Sequence, residues 1–151
     1  MPVLVFPSQV RAQVLEQHAE LRGLLVRVSA EASPAAESKA SAERLAGTAR
    51  HLCARFAAHL TFEEEELGRI LTVLDAWGPE RLRELHVDHR RQRGAFDALL
   101  ARIDSGVEIE ALATALRGLA LTLLQDMEEE EEGCLQASSM LENSLPFERS
   151  Q

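Results

Sequence analysis

Apolar residues return at alternating steps of three and four along four separate stretches of this chain, a period that fits the α-helix and not the strand. Val14, Leu21, Leu25 and Val28 mark the first stretch, and Leu52, Phe56, Leu67 and Ile70 the second. Leu82, Leu85, Phe96, Leu99 and Ile103 mark the third, and Leu112, Leu116, Leu119 and Leu123 the fourth. Between them stand helix stops and starts. Ser8 reads as the cap of a first helix running to about Glu31, and a Ser/Ala/Pro segment over 33–41 precedes the second. Gly78-Pro79 closes the second helix and opens the third, and Ser105-Gly106 closes the third. A length of 151 residues supports one core of this kind, and an apolar content of 46% with only 4% aromatics, mostly Ala and Leu, favours helix. The expected fold is all-α: an up-down-up-down four-helix bundle in which 8–140 form one domain, with an extended segment over 1–7 and a loosely held tail over 141–151.

Each stripe is interrupted by polar residues in phase with the apolar ones. His18 occupies the first, His59 and Glu63 the second, His89 the third, and Asp126 and Glu130 the fourth. The interruptions repeat, because the two halves of the chain read as copies of one helical hairpin. H-A-E-L-R-G from His18 to Gly23 corresponds to H-R-R-Q-R-G from His89 to Gly94, and His59 to Glu63 corresponds to Asp126 to Glu130. The separation from His18 to His59 exceeds that from His89 to Asp126 by four residues, which the longer first loop absorbs. Up-down-up-down connection then brings all six side chains to one height in the bundle.

Burying one imidazole or carboxylate in an apolar stripe costs several kcal/mol unless it is compensated, on the order of 2–7 for a neutral polar group and more for a charge. Several such groups at one level call for a shared solution. Residues four apart on a helix project from one face, so His59 with Glu63, and Asp126 with Glu130, each form a chelating pair. Two divalent cations would neutralise the three carboxylates and saturate the imidazole lone pairs together. A mixed nitrogen and carboxylate set without thiolate suits iron or manganese and admits zinc. His86 lies three residues before His89 on the same face, as an additional ligand or as a residue of the site's rim.

One histidine on the first helix, H-x-x-x-E-E over His59 to Glu64, Asp88-His89-Arg90 on the third helix and the acidic stretch Asp126 to Glu131 on the fourth together resemble the hemerythrin-like family. The resemblance spans about Ser8 to Leu135. It implies a non-haem diiron centre that binds dioxygen or nitric oxide, or that senses or stores iron, with His18, His59, Glu63, His86, His89, Asp126 and Glu130 as metal ligands. The oxygen carriers of that family have a histidine where this chain has Asp126, and two third-helix histidines four apart where this chain has His86 and His89. A diiron oxidase or peroxidase-like enzyme and a metal-free helical interaction module are the competing readings.

A net charge of −9 argues against nucleic acid and against anionic membrane surfaces as partners. The stretch from Met1 to Pro7 is too short and too proline-broken for a signal peptide or a span, and a cytoplasmic location is the simple expectation. Cys53 and Cys134 lie within helical patterns without CxxC spacing and read as inert core thiols. His51 lies two turns before His59, roughly 12 Å along the axis, too far to share the centre. The runs Glu64–Glu66 and Glu128–Glu132 could form an acidic iron-entry funnel, but most members of such runs must face solvent on a helix of this period, so the acids other than Glu63 and Glu130 read as a solvated face. Arg22 and Arg93, each four residues after a paired histidine, are either supports of buried carboxylates or members of surface ion pairs.

Overall fold

In the computed structural model, which describes residues 3–74, 76–139 and 147–149, the periodicity resolves into four long helices: α1 (Pro7–Ala32), α2 (Lys39–Leu74), α3 (Gly78–Asp104) and α4 (Ile109–Glu132). They form an up-down-up-down four-helix bundle, in which α1 packs on α2 and α4, α3 packs on α2, and the α3–α4 seam is the thinnest. A short α5 (Cys134–Ser139) follows α4 and folds back on α1. At the chain's two ends, β1 (Val3–Val5) pairs antiparallel with β2 (Phe147–Arg149), Leu4 opposite Glu148. Of the tail expected to be loosely held, 147–149 are the strand β2, and 141–146 and 150–151 lie outside the described residues.

The ends of the helices follow local chemistry. Ser8 does not cap α1. The cap position is Phe6, whose backbone N–H donates to Gln9 Oε1 at 3.0 Å, and Pro7 supplies the pre-set first turn. Ser38 starts α2, its Oγ accepting the Ser41 N–H at 3.0 Å. Gly78 is demanded by the tight α2–α3 turn, since a Cβ there would lie 1.5 Å from the Leu71 carbonyl oxygen. Gly106 takes φ 71° just past α3, letting its N–H and that of Val107 satisfy the carbonyls of Ile103 and Arg102. Gly133 interrupts the fourth helical run, so that Cys134 opens α5 and does not continue the α4 stripe.

The core comes in two parts with a polar layer between them. A large cluster includes Leu21, Leu25, Leu52, Phe56, Phe96, Leu116 and Leu123, and a smaller one includes Val10, Val14, Leu67, Ile70, Leu71 and Leu135. Each of these large aliphatic or aromatic side chains contributes about 1.5–3 kcal/mol by burial. His18 falls between Val14 and Leu21, Glu63 between Leu60 and Leu67, and His89 between Leu85 and Phe96. The apolar layers above and below hold these polar groups in place and keep bulk water from them.

Candidate metal centre

Glu63 is the centre of the polar layer. It is fully buried, and its two oxygens face different imidazoles. Oε1 lies 2.9 Å from His59 Nε2 and 3.4 Å from His18 Nε2, whereas Oε2 lies 3.1 Å from His89 Nε2. Glu130 approaches from α4, its Oε2 3.6 Å from His18 Nε2. Donor atoms of His18, His59, Glu63 and Glu130 all fall within 4.8 Å of one another. Despite these short approaches, His18 Nε2 and both Glu63 oxygens have no hydrogen-bond partner in acceptable geometry among the described residues. Donors that converge without bonding to each other suit a shared cation. With metal–ligand distances of about 2.1 Å, neighbouring ligands sit about 3.0 Å apart on an octahedron and about 3.4 Å apart on a tetrahedron. The observed separations bracket those edges.

The outward nitrogen of every imidazole is tied down. His18 Nδ1 donates to Glu131 Oε1 at 2.9 Å, and Arg22 holds the same carboxylate with two bonds of 2.7 and 3.0 Å. His89 Nδ1 donates to Glu64 Oε1 at 3.0 Å, and Arg93 holds Glu64 with bonds of 2.5 and 3.3 Å. His59 Nδ1 donates to Gln17 Oε1 at 2.7 Å. A carboxylate or amide oxygen can only accept, so each Nδ1 carries the proton, and in the neutral ring the Nε2 lone pair faces inward. Arg22 and Arg93 are thus supports of the site, and Glu64 and Glu131 do not belong to a merely solvated face. The internal repeat carried their signal: each arginine recurs four residues after its histidine, and each glutamate immediately follows the Glu63 or Glu130 position. Glu66, also expected at the solvated face, is buried.

Burial opposes the charge of Glu63, but His18, His59 and His89 beside it, which when charged present an inward N–H in place of a lone pair, prevail and hold its carboxyl well below the usual range. Burial and then the Glu63 charge push Glu130 well above that range. The two neighbouring carboxylates are thus set apart, Glu63 the readier to ionise and Glu130 the readier to keep a proton.

Two sequence candidates lie apart from this cluster. Asp126 accepts from Arg91 Nη2 at 3.0 and 3.1 Å and from Gln92 Nε2 at 2.9 Å. The cause is helix phase. Along α4 the buried stripe runs Leu116, Ala120, Leu123, Met127, leaving Leu119 and Asp126 half-buried on its flank. His86 is exposed on the rim, its Nδ1 3.9 Å from Glu64 Oε1. His51 is exposed on α2. Both cysteines are free thiols. Burial pushes the Cys53 thiol up to about 11, and burial followed by the charges of Glu130 and Glu63 also raises that of Cys134, whose Sγ stands 4.0 Å from Glu130 Oε1.

The thin α3–α4 seam opens as a cleft of about 600 Å³ that reaches His89 and Glu130. Among the described residues, no helix is long and apolar enough to cross a membrane. The family model of the hemerythrin HHE cation-binding domain matches residues 10–137. No curated protein and no solved structure matches the chain.

Proposed function

The chain belongs to the hemerythrin HHE cation-binding domain family, and on that premise we propose that it is a non-haem diiron protein binding dioxygen or a related small diatomic such as nitric oxide in its bundle core. The observation that carries this reading is Glu63, whose two oxygens address different histidines from a fully buried position. One ion would be held by His18, His59, Glu63 and Glu130, and a second by His89 and the other Glu63 oxygen. Manganese or zinc fits the same donor chemistry, whereas the redox change needed to bind a diatomic reversibly favours iron.

When bound, the iron supplies electrons and an open coordination position for the diatomic. The chain's residues supply the rest. Glu131 and Glu64 fix the tautomers and ring planes of His18 and His89, and Gln17 does so for His59. Phe56 lies edge-on to His59, with ring centroids 5.9 Å apart, and packs on Phe96, walling the site from the large apolar cluster. His89 has fewer neighbouring donors than His18 and His59, and it lies at the cleft, so the cleft side is where an exogenous ligand finds room. That cleft also favours a second reading, an oxidase or peroxidase-like diiron enzyme, because it gives a small substrate access to the same side. The free thiols suit a reducing compartment, and we place the protein in the cytoplasm.

Anaerobic loading with Fe(II) followed by elemental analysis and admission of air tests the proposal. Two irons per chain and new ultraviolet and visible charge-transfer bands are expected, with both lost in Glu63→Ala and kept in His51→Ala. A colourless chain without bound iron would refute it. Turnover of peroxide or Fe(II) beyond one equivalent per site would select the enzyme reading over carriage or sensing.

A further inference from the structure

The polar layer is guarded unevenly. Glu131 with Arg22 covers the outward side of His18, Gln17 that of His59, and Glu64 with Arg93 that of His89. The α3–α4 cleft is different, because its floor is made of the inner donors themselves, His89 and Glu130. Glu84 and Asp88 from α3 and Asp126, Glu129 and Glu132 from α4 line its walls, with Arg81 at its side. Across α3 lies a groove of about 730 Å³ with the opposite character, lined by Arg83, Arg90 and Arg93 together with His86 and Glu64. A cation is repelled from that groove and attracted to the cleft.

A second observation marks the cleft for a cation. Gln92 lines it and is only 6% exposed. Its Nε2 donates to Asp126, a carboxylate that must receive a donor, so the amide is oriented and Oε1 is the atom left over. That oxygen has no hydrogen-bond partner among the described residues. A bare amide carbonyl beside carboxylates is the oxygen set that a hard, hydrated divalent cation takes up.

We propose that the α3–α4 cleft is the route by which a hydrated divalent cation, ferrous iron in the reading above, reaches the donors, guided by its carboxylates and passed inward by Gln92 Oε1. This inference rests on the metal-site reading and concerns how that site fills. A cleft lined by charge of one sign raises the arrival rate of the opposite ion by about 10- to 1,000-fold, an advantage that salt removes. Arg91 already engages Asp126 and lies 3.7 Å from Asp88, so the steering falls chiefly to Glu84, Glu129 and Glu132. The negative pole of the α4 dipole, at Glu132, adds to it.

Stopped-flow mixing of the full metal-free chain with Fe(II) under anaerobic conditions tests the route. Glu84→Gln combined with Glu132→Gln should slow loading about 10-fold at low salt while leaving the final stoichiometry unchanged. Glu37→Gln combined with Glu110→Gln, which removes the same charge away from the cleft, should leave the rate alone. Gln92→Leu should also slow loading without lowering the final content. Loading of the unmodified chain should itself slow steeply as salt is raised, a measurement that depends on no variant. Equal rates for the two double variants, or a rate for the unmodified chain indifferent to salt, would overturn the route while the metal site stands. A chain that takes up no iron at all would overturn the metal-site reading beneath it.

Discussion

Removing the Glu131 side chain separates the roles of the outer carboxylate and of its arginine. In Glu131→Ala, the buried His18 loses the acceptor of its Nδ1–H, a bond of 2.9 Å to an ionised group held low chiefly by Arg22. A hydrogen bond to a charged partner contributes about 1.5–3 kcal/mol. At about 1.4 kcal/mol per decade, that is roughly a 10- to 100-fold loss of metal affinity, the range typical for partners of ligating histidines. The Arg22–Glu131 ion pair is another matter. With side chains 37% and 26% exposed, it is partly screened, and pairs of that kind contribute about 0.2–1 kcal/mol. Arg22→Ala should therefore weaken metal binding by less than about 5-fold. Glu131→Gln, which keeps a neutral acceptor, should fall between the two. Anaerobic competition of each variant against a chelator for Co(II) or Fe(II) gives the affinities. Glu64→Ala and Arg93→Ala should repeat the pattern on His89. If Arg22→Ala matched Glu131→Ala, or if neither lost more than about 3-fold, the outer carboxylates would not be orienting the ligands.

Metal-free stability should depend on pH through Glu130, whose carboxyl is raised by burial and by Glu63. A group that holds its proton more tightly when folded stabilises below its ordinary pKa of about 4.3 and loses that stability as pH rises through the raised value. Glu130→Gln should thus stabilise the metal-free chain above the ordinary carboxylate range, read as a higher Tm, while lowering metal content; a lower Tm would contradict a raised Glu130 carboxyl. Gly78→Ala should cost at least about 3 kcal/mol in thermal or urea unfolding, since its Cβ would meet the Leu71 carbonyl, and a loss below about 1 kcal/mol would mean that the turn relaxes freely. Asp126→Ala should keep most of its metal, because its carboxylate serves Arg91 and Gln92; a loss as complete as that of Glu63→Ala would show that it leaves them to ligate.

The three-four spacing made the four helices legible, and the histidines at 18, 59 and 89 with Glu63 could be placed on buried faces because each sits between strong apolar neighbours on both sides. Asp126 shows where such reasoning loses resolution. Steps of three and four can be taken in either order, and a stripe followed through Leu119 reaches Asp126, whereas the buried stripe passes through Ala120 and Met127. The break at Gly133 and the β1–β2 pairing were out of reach, one because a single glycine within a helical run is usually tolerated, the other because a pairing across the whole length of the chain leaves no local period. Glu64 and Glu131 were hidden for another reason: periodicity separates buried faces from exposed ones, and these residues stand at the border, with one oxygen serving the core and an arginine serving both.

The two braces cross between the repeats. Glu64 belongs to the first hairpin and steadies His89 of the second, while Glu131 belongs to the second and steadies His18 of the first. His59 is aimed from within its own hairpin by Gln17, but neither hairpin carries the means to aim the repeated histidine, His18 or His89, so for that pair the halves behave as the two protomers of a dimer that a linker has made permanent. A substitution in one hairpin is therefore felt by the ligand of the other. The pair is free to diverge in sequence, as His59 and Asp126 have, so long as each half keeps the one glutamate that its neighbour depends on.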